Sequence, residues 1–285
     1  MVKSIKVFSD SLSRRVLTAM ILVPLALIIV YFGNNIFLAS IGLLAAIMCV
    51  EWIAISFSGK TLLFSISSVL LVVICSLIYS FFGAQIALCV ACAGTVVSGV
   101  IFKAVTGRNT LWASIGILCF LVVLVSINWL RAETSIGLLK IYWLFGVVWG
   151  TDTGAYVFGK LMGGAPLAKK ISPSKTRWGA VGGALIGTIC GTLIMVVYYK
   201  HDLVMTLDNW VAIILISFCF SVLAQCGDLI ESFAKRAFSV KDSGSWLPGH
   251  GGALDRLDSL LFTTLSLALL TFFASTAQNF MIWSL

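Results

Sequence analysis

Between Cys226 and Ser259 the chain reads CGDLIESFAKRAFSVKDSGSWLPGHGGALDRLDS, with apolar sequence on both sides. Of 19 basic and 11 acidic residues in the whole chain, nine lie here: Asp228, Glu231, Lys235, Arg236, Lys241, Asp242, Asp255, Arg256 and Asp258. Asp228, Glu231, Ser232, Lys235 and Arg236 follow at i, i+3, i+4, i+7 and i+8, which on a helix makes one polar stripe. The stripe runs back through Gln225, Ser221 and Ser217, so this helix is expected to turn a polar face inward. Ser239 to Ala253 is rich in Gly, Ser and Pro. It cannot continue a helix, but it can bring backbone N–H groups close to a phosphate. A second helix then opens with Asp255, Arg256 and Asp258, and Asp255, Asp258 and Ser259 share a face. Carboxylate oxygens suit a divalent cation such as Mg²⁺, which keeps positions for phosphate oxygens. Lys and Arg suit the phosphates directly.

The elements that must position these groups are set by composition. The chain is 60% hydrophobic and 11% charged, with mean hydropathy +1.08, against about 25% charged residues in soluble domains. The expected fold is therefore all-α, a polytopic integral membrane protein. The net charge of +8 reads as topology, because no basic and aromatic run is long enough for a nucleic-acid surface. The eight cysteines lie in or beside apolar runs and read as small buried hydrophobes. Cys89 and Cys92 form a C-x-x-C inside a span, without the second ligand pair a metal site needs.

A crossing helix needs roughly 20 apolar residues. That criterion places nine spans, at about 16–33, 36–57, 61–81, 84–102, 111–130, 136–158, 179–199, 209–230 and 257–280. With the N-terminus in the cytoplasm, the cytoplasmic segments collect sixteen of the nineteen basic residues, as the positive-inside rule asks. Residues 1–135 form an N-terminal block of five spans, with Arg14 and Arg15 as a signal-anchor flank. Residues 136–285 form the catalytic block, whose loops 159–178 and 231–256 face the same side. There is no internal repeat and no soluble domain.

Other positions carry chemistry inside this frame. Asp152 stands well within span 6, in Gly150-Thr151-Asp152-Thr153-Gly154-Ala155-Tyr156. A mid-span Asp costs about 2.5–3.5 kcal/mol even on the lower scales, so it is expected to face the bundle interior or a wet cavity. The loop after span 6 carries Lys169, Lys170 and Ser172-Pro173-Ser174-Lys175-Thr176-Arg177. Lys175 and Thr176 can donate to phosphates; a plain topological role, with attraction to anionic lipid, is the alternative. Gly183, Gly187 and Gly191 favour close packing of span 7. Glu51, beside Trp52, reads as an interfacial anchor that snorkels to water, with a place in a lipid-substrate cavity as the other reading.

The stretch from Ser232 resembles the signature of the phosphatidate cytidylyltransferases, or CDP-diacylglycerol synthases. The matching residues are Ser232, Lys235-Arg236, Lys241-Asp242, His250-Gly251-Gly252, Asp255-Arg256 and Asp258. Ala234 and Ala253 replace larger aliphatic residues of that pattern. Asp152 with Ala155-Tyr156, and Ser172-Pro173 with Lys175-Thr176, are similar to further family elements. Arg177-Trp178 stand where the family usually has Trp-Glu, so no role is carried over for that acidic residue.

The resemblance implies transfer of the CMP moiety of CTP to phosphatidic acid, giving CDP-diacylglycerol and pyrophosphate. The chain would then be a nucleotidyltransferase of phospholipid biosynthesis. On this reading Asp228 and Asp255 ligate Mg²⁺, with Asp258 in support, a second cation left open, and Glu231 or Asp242 beside the ligands. Lys241 joins Asp228, Asp255 and Asp258 as catalytic. Ser232, Lys235, Arg236, His250, Arg256, Ser172, Lys175, Thr176 and Asp152 bind substrate, and Gly251 and Gly252 let backbone approach it. The expected partners are CTP and membrane phosphatidic acid, with no nucleic acid. Glycine-rich faces that could pack between subunits leave a homodimer open. The absence of a targeting extension points to a bacterial plasma membrane, with the site facing the cytoplasm. A CTP-dependent polyprenol kinase and a membrane transporter are the rival readings.

Overall fold

The computed structural model describes residues 20–57, 61–132, 136–199, 206–244 and 252–276. In chain order the helices are α1 (Met20–Phe32), α2 (Asn34–Ser56), α3 (Leu62–Thr106), α4 (Leu111–Ala132) and α5 (Gly137–Met162). A hairpin of β1 (Pro166–Ala168) and β2 (Ser172–Thr176) follows, then α6 (Arg177–Tyr199), α7 (Leu207–Ala237) and α8 (Leu254–Thr276). Apart from that hairpin the described chain is helical, as lipid demands of backbone that has no water to bond. This is an all-α polytopic membrane protein.

Among the described residues six helices, α2, α3, α4, α6, α7 and α8, are long and apolar enough to cross a membrane, against nine expected spans. Part of the difference lies in α3. Straight, its 45 residues would run about 68 Å, twice the roughly 30 Å hydrocarbon core. Instead the helix breaks at Gly83, whose φ of 83° and ψ of −177° only glycine adopts readily. The two halves fold back on each other: Phe64 stacks on Phe102 at 4.4 Å, and Gly94 packs against Leu71. One α-helical stretch thus holds two of the expected spans. The described part of α1 is shorter than a crossing helix, and α5 is diluted by Gly, Thr, Trp and Asp152.

The residues divide into two compact units, 1–125 with 242–256, and 126–241 with 257–285. In the first, Trp52 of α2 donates its indole N–H to the Trp112 carbonyl at 3.0 Å, and Gly116 leaves the space its ring fills. In the second, α5 and α6 pack backbone to backbone. A Cβ at Gly154 would stand 2.6 Å from the Gly182 carbonyl, and one at Gly183 would stand 2.9 Å from the Thr151 carbonyl. Gly179, Gly182, Gly183, Gly187 and Gly191 are all buried on α6, as the expected small-residue face requires.

The basic loop after α5 is more ordered than a loop. Gly163 and Gly164, at φ 60° and 97°, turn the chain out of α5. The strands then pair antiparallel, Pro166 with Thr176 and Ala168 with Ser172, with Lys169 and Lys170 in the turn. Thr176 ends β2 and caps α6, accepting the Gly179 N–H at 3.0 Å, a standard use of Thr at a helix start.

Candidate active site

The polar stripe of α7 has two parts with different partners. Its upper part is stitched into the second unit. Ser217 and Ser221 are fully buried. Trp143 donates to Ser217 at 3.0 Å, and Ser221 meets Thr151 at 2.5 Å and donates to the Gly183 carbonyl at 3.2 Å. Gln225 donates to the Ala180 carbonyl at 3.1 Å. These bonds fix the rotation of α7 about its axis, which the periodicity alone had set inward.

The lower part carries charge. Asp228 lies 2.6 Å from the Lys175 ammonium of β2, both side chains partly exposed. Glu231 is buried, 2.8 Å from Lys235 one turn on. Asp258 comes from α8, and carboxylate oxygens of Asp228, Glu231 and Asp258 all lie within 4.8 Å of one another. Among the described residues this is the acidic group spaced to hold a metal ion. Gly227 makes the approach: a Cβ there would stand 2.7 Å from Phe262 Cβ and 3.2 Å from the Asp258 carbonyl. Sequence reasoning missed Gly227; its signal was a glycine one residue before the first acid of the stripe.

Three carboxylates this close repel, and partial burial strengthens the repulsion. Lys175 and Lys235 stand against Asp228 and Glu231. The carboxylate donor set fits a hard divalent cation, which takes oxygen ligands and tolerates half-exposed sites. Asp228, Glu231 and Asp258 are the residues that would hold it.

Asp255, expected beside Asp228, groups differently. Within the first unit its carboxylate accepts the Ser243 N–H at 3.0–3.1 Å and the Gly252 N–H at 2.9 Å. The Gly252 N–H, expected to face phosphate, is thereby taken up by a side chain. Glu51 joins the same segment. It is 2% exposed, so it does not snorkel to water; it accepts from backbone N–H groups and a serine hydroxyl of that segment.

The remaining expected site residues fall as follows. Ser172, Thr176 and Ser232 are half-buried, and Lys241 and Arg256 are exposed. Arg236 is exposed and reaches the Ile171 and Val240 carbonyls at 3.4 Å each. Asp152, expected to face the bundle interior or a wet cavity, is exposed on α5, while Thr151 and Gly154 take up the glycine-lined contact with α6. His250 and Gly251 lie outside the described residues.

A model described as the cytidylyltransferase family matches residues 13–274. The chain belongs to that family. A phosphatidate cytidylyltransferase of Brucella suis biovar 1 is 34% identical over 260 residues, covering 88% of this chain and 90% of its own. Identity is higher over shorter stretches of two others of that name. The Staphylococcus saprophyticus protein is 47% identical over 134 residues, 47% of this chain and 49% of its own. That of Staphylococcus epidermidis is 49% identical over 129 residues, 45% of this chain and 47% of its own.

Proposed function

We propose that this chain transfers the CMP moiety of CTP to phosphatidic acid, releasing pyrophosphate and leaving CDP-diacylglycerol in the membrane. The observation that carries the reading is the Asp228–Glu231–Asp258 group with Lys175 against it, in a chain matched along most of its length by phosphatidate cytidylyltransferases.

An oxygen of the phosphatidate phosphate attacks the α-phosphorus of CTP. A new P–O bond forms there, and the bond to the oxygen bridging to the β-phosphate breaks. Phosphatidate is ionised at neutral pH, so no residue has to remove a proton. The work is positioning and charge neutralisation. Lys175, Lys235, Arg236, Lys241 and Arg256 bind phosphate oxygens of the two substrates, with Ser232, Ser172, Thr176, His250 and Asp152 around them. Gly251 gives the substrates room at the backbone, while the space beside Gly252 is filled by Glu51 and Ser243. Mg²⁺, when bound, neutralises phosphate charge and orients the reacting oxygens. Asp228, Glu231 and Asp258 would hold it, and Asp255 is the further candidate ligand from the spacing. The site faces the cytoplasm, where CTP is found, and the membrane is a bacterial plasma membrane.

The test uses detergent-purified protein with α-labelled CTP, phosphatidic acid and Mg²⁺, with products separated by thin-layer chromatography. Label entering a lipid, with pyrophosphate released and both lost on adding EDTA, is expected. Labelled CDP without labelled lipid would instead show γ-phosphate transfer by a lipid kinase. Neither product, with transport in liposomes, would show a transporter.

A further inference from the structure

Glu51 sits on α2, about two hundred residues from the segment it grips. Its Oε1 accepts the Ala253 N–H at 2.9 Å, and its Oε2 accepts the Leu254 N–H at 2.9 Å and the Ser243 hydroxyl at 3.2 Å. Ala253 and Leu254 open α8, so two of the N–H groups that a helix start leaves without intrahelical partners are satisfied by one anion. The helix dipole favours that charge. Gly244 and Gly252 leave the carboxylate its space: a Cβ at Gly244 would stand 2.6 Å from Oε1, and one at Gly252 would stand 2.7 Å from both oxygens. Asp255 takes the Ser243 and Gly252 N–H groups of the same two strands of chain. Two carboxylates thus tie residues 243–244 to residues 252–255.

From this geometry we infer that Glu51 is a positioning residue of the transfer reaction, setting the place of Asp255 and of the Gly252 backbone. It acts through those residues' neighbours, Ser243, Ala253 and Leu254. The inference rests on the proposed cytidylyl transfer, because Asp255 and Gly252 are assigned to that site.

The test measures purified full-length wild type, Glu51→Gln and Glu51→Asp. Glutamine keeps the shape but turns an NH₂ toward an N–H donor. The expected result is a folded Glu51→Gln protein whose kcat falls about tenfold, with KM for CTP within about threefold, and part of the kcat restored in Glu51→Asp. A folded Glu51→Gln protein with wild-type kcat would overturn the inference. If neither variant folds, Gly244→Ala decides, since its Cβ displaces the same carboxylate: a reduced kcat supports the assignment and a wild-type kcat overturns it. Hydrogen exchange supplies a readout independent of turnover. Peptides covering 252–260 should exchange faster in Glu51→Gln while peptides of α6 do not. If wild type makes no labelled lipid, the proposed reaction fails by itself, and unchanged exchange at 252–260 would sink the positioning role separately.

Discussion

Two groups of carboxylates stand in this molecule, and they differ in what satisfies them. Asp228, Glu231 and Asp258 face one another, with two lysines as counter-ions. Glu51 and Asp255 face backbone N–H groups and a serine hydroxyl. A carboxylate whose partners are fixed N–H donors is already neutralised by the fold and holds a segment in place. A carboxylate crowded by others is stabilised by an added cation. The difference separates residues suited to a metal from residues suited to shaping the loop, although all of them are acids within or beside the same motif.

The largest expected effects break the first group. Asp228→Asn and Asp258→Asn should each lower kcat by about a thousandfold or more, measured at saturating CTP and phosphatidic acid, and raised Mg²⁺ should recover little. Asp255→Asn should lose only about tenfold, because an amide oxygen still accepts one of its N–H bonds. Equal losses at Asp228 and Asp255 would erase the contrast and restore the ligand pair that the spacing alone suggests. Full activity of Asp228→Asn at low Mg²⁺ would remove the acidic trio from the reaction.

How much of this could be read beforehand depends on the range of the interaction. The stripe from Ser217 to Arg236 was legible because its spacing is local and helical, and the burial of Ser217, Ser221 and Glu231 follows that period. The glycine face of α6 was legible for the same reason. Asp258 and Glu231 were expected in support of Asp228, and the three do group; how closely α8 approaches α7, which Gly227 allows, was not legible. Glu51 was misread as an anchor because its partners lie on a distant segment that no spacing rule connects to α2. The reversal at Gly83 falls between the expected spans 61–81 and 84–102, whereas the strands at Pro166 and Ser172 escaped a count based on hydropathy, which sees apolar length but not a short polar pairing.

Lys175 sharpens the comparison at the next level down. It is the counter-ion of Asp228 and an expected phosphate donor. Lys175→Ala should raise KM for CTP by about 10- to 100-fold, with a smaller change in Lys175→Arg. An unchanged KM with lowered stability would make it a counter-ion only. Gly187 probes the scaffold beneath. A Cβ there would press on Thr151 and come within 2.6 Å of Ser221 Oγ, so Gly187→Ala should destabilise by about 1–3 kcal/mol, seen as a lower midpoint of thermal inactivation with kcat of the surviving protein unchanged.

Thr176 poses the carboxylate question again, on a hydroxyl. Its oxygen accepts the Gly179 N–H, so part of its bonding capacity belongs to the fold, as with Asp255. Its proton remains free to donate to a phosphate, as with the lysine beside it. Thr176→Ala removes both. Loss of the cap alone should cost about 1 kcal/mol and leave KM for CTP where it was. Thr176→Asn keeps a capping side chain but changes the reach of its donor, so a KM that rises in both variants, with stability restored only in Thr176→Asn, assigns the hydroxyl to substrate. A KM that stays flat in both assigns it to α6, and the phosphate contacts of this strand then rest on Lys175.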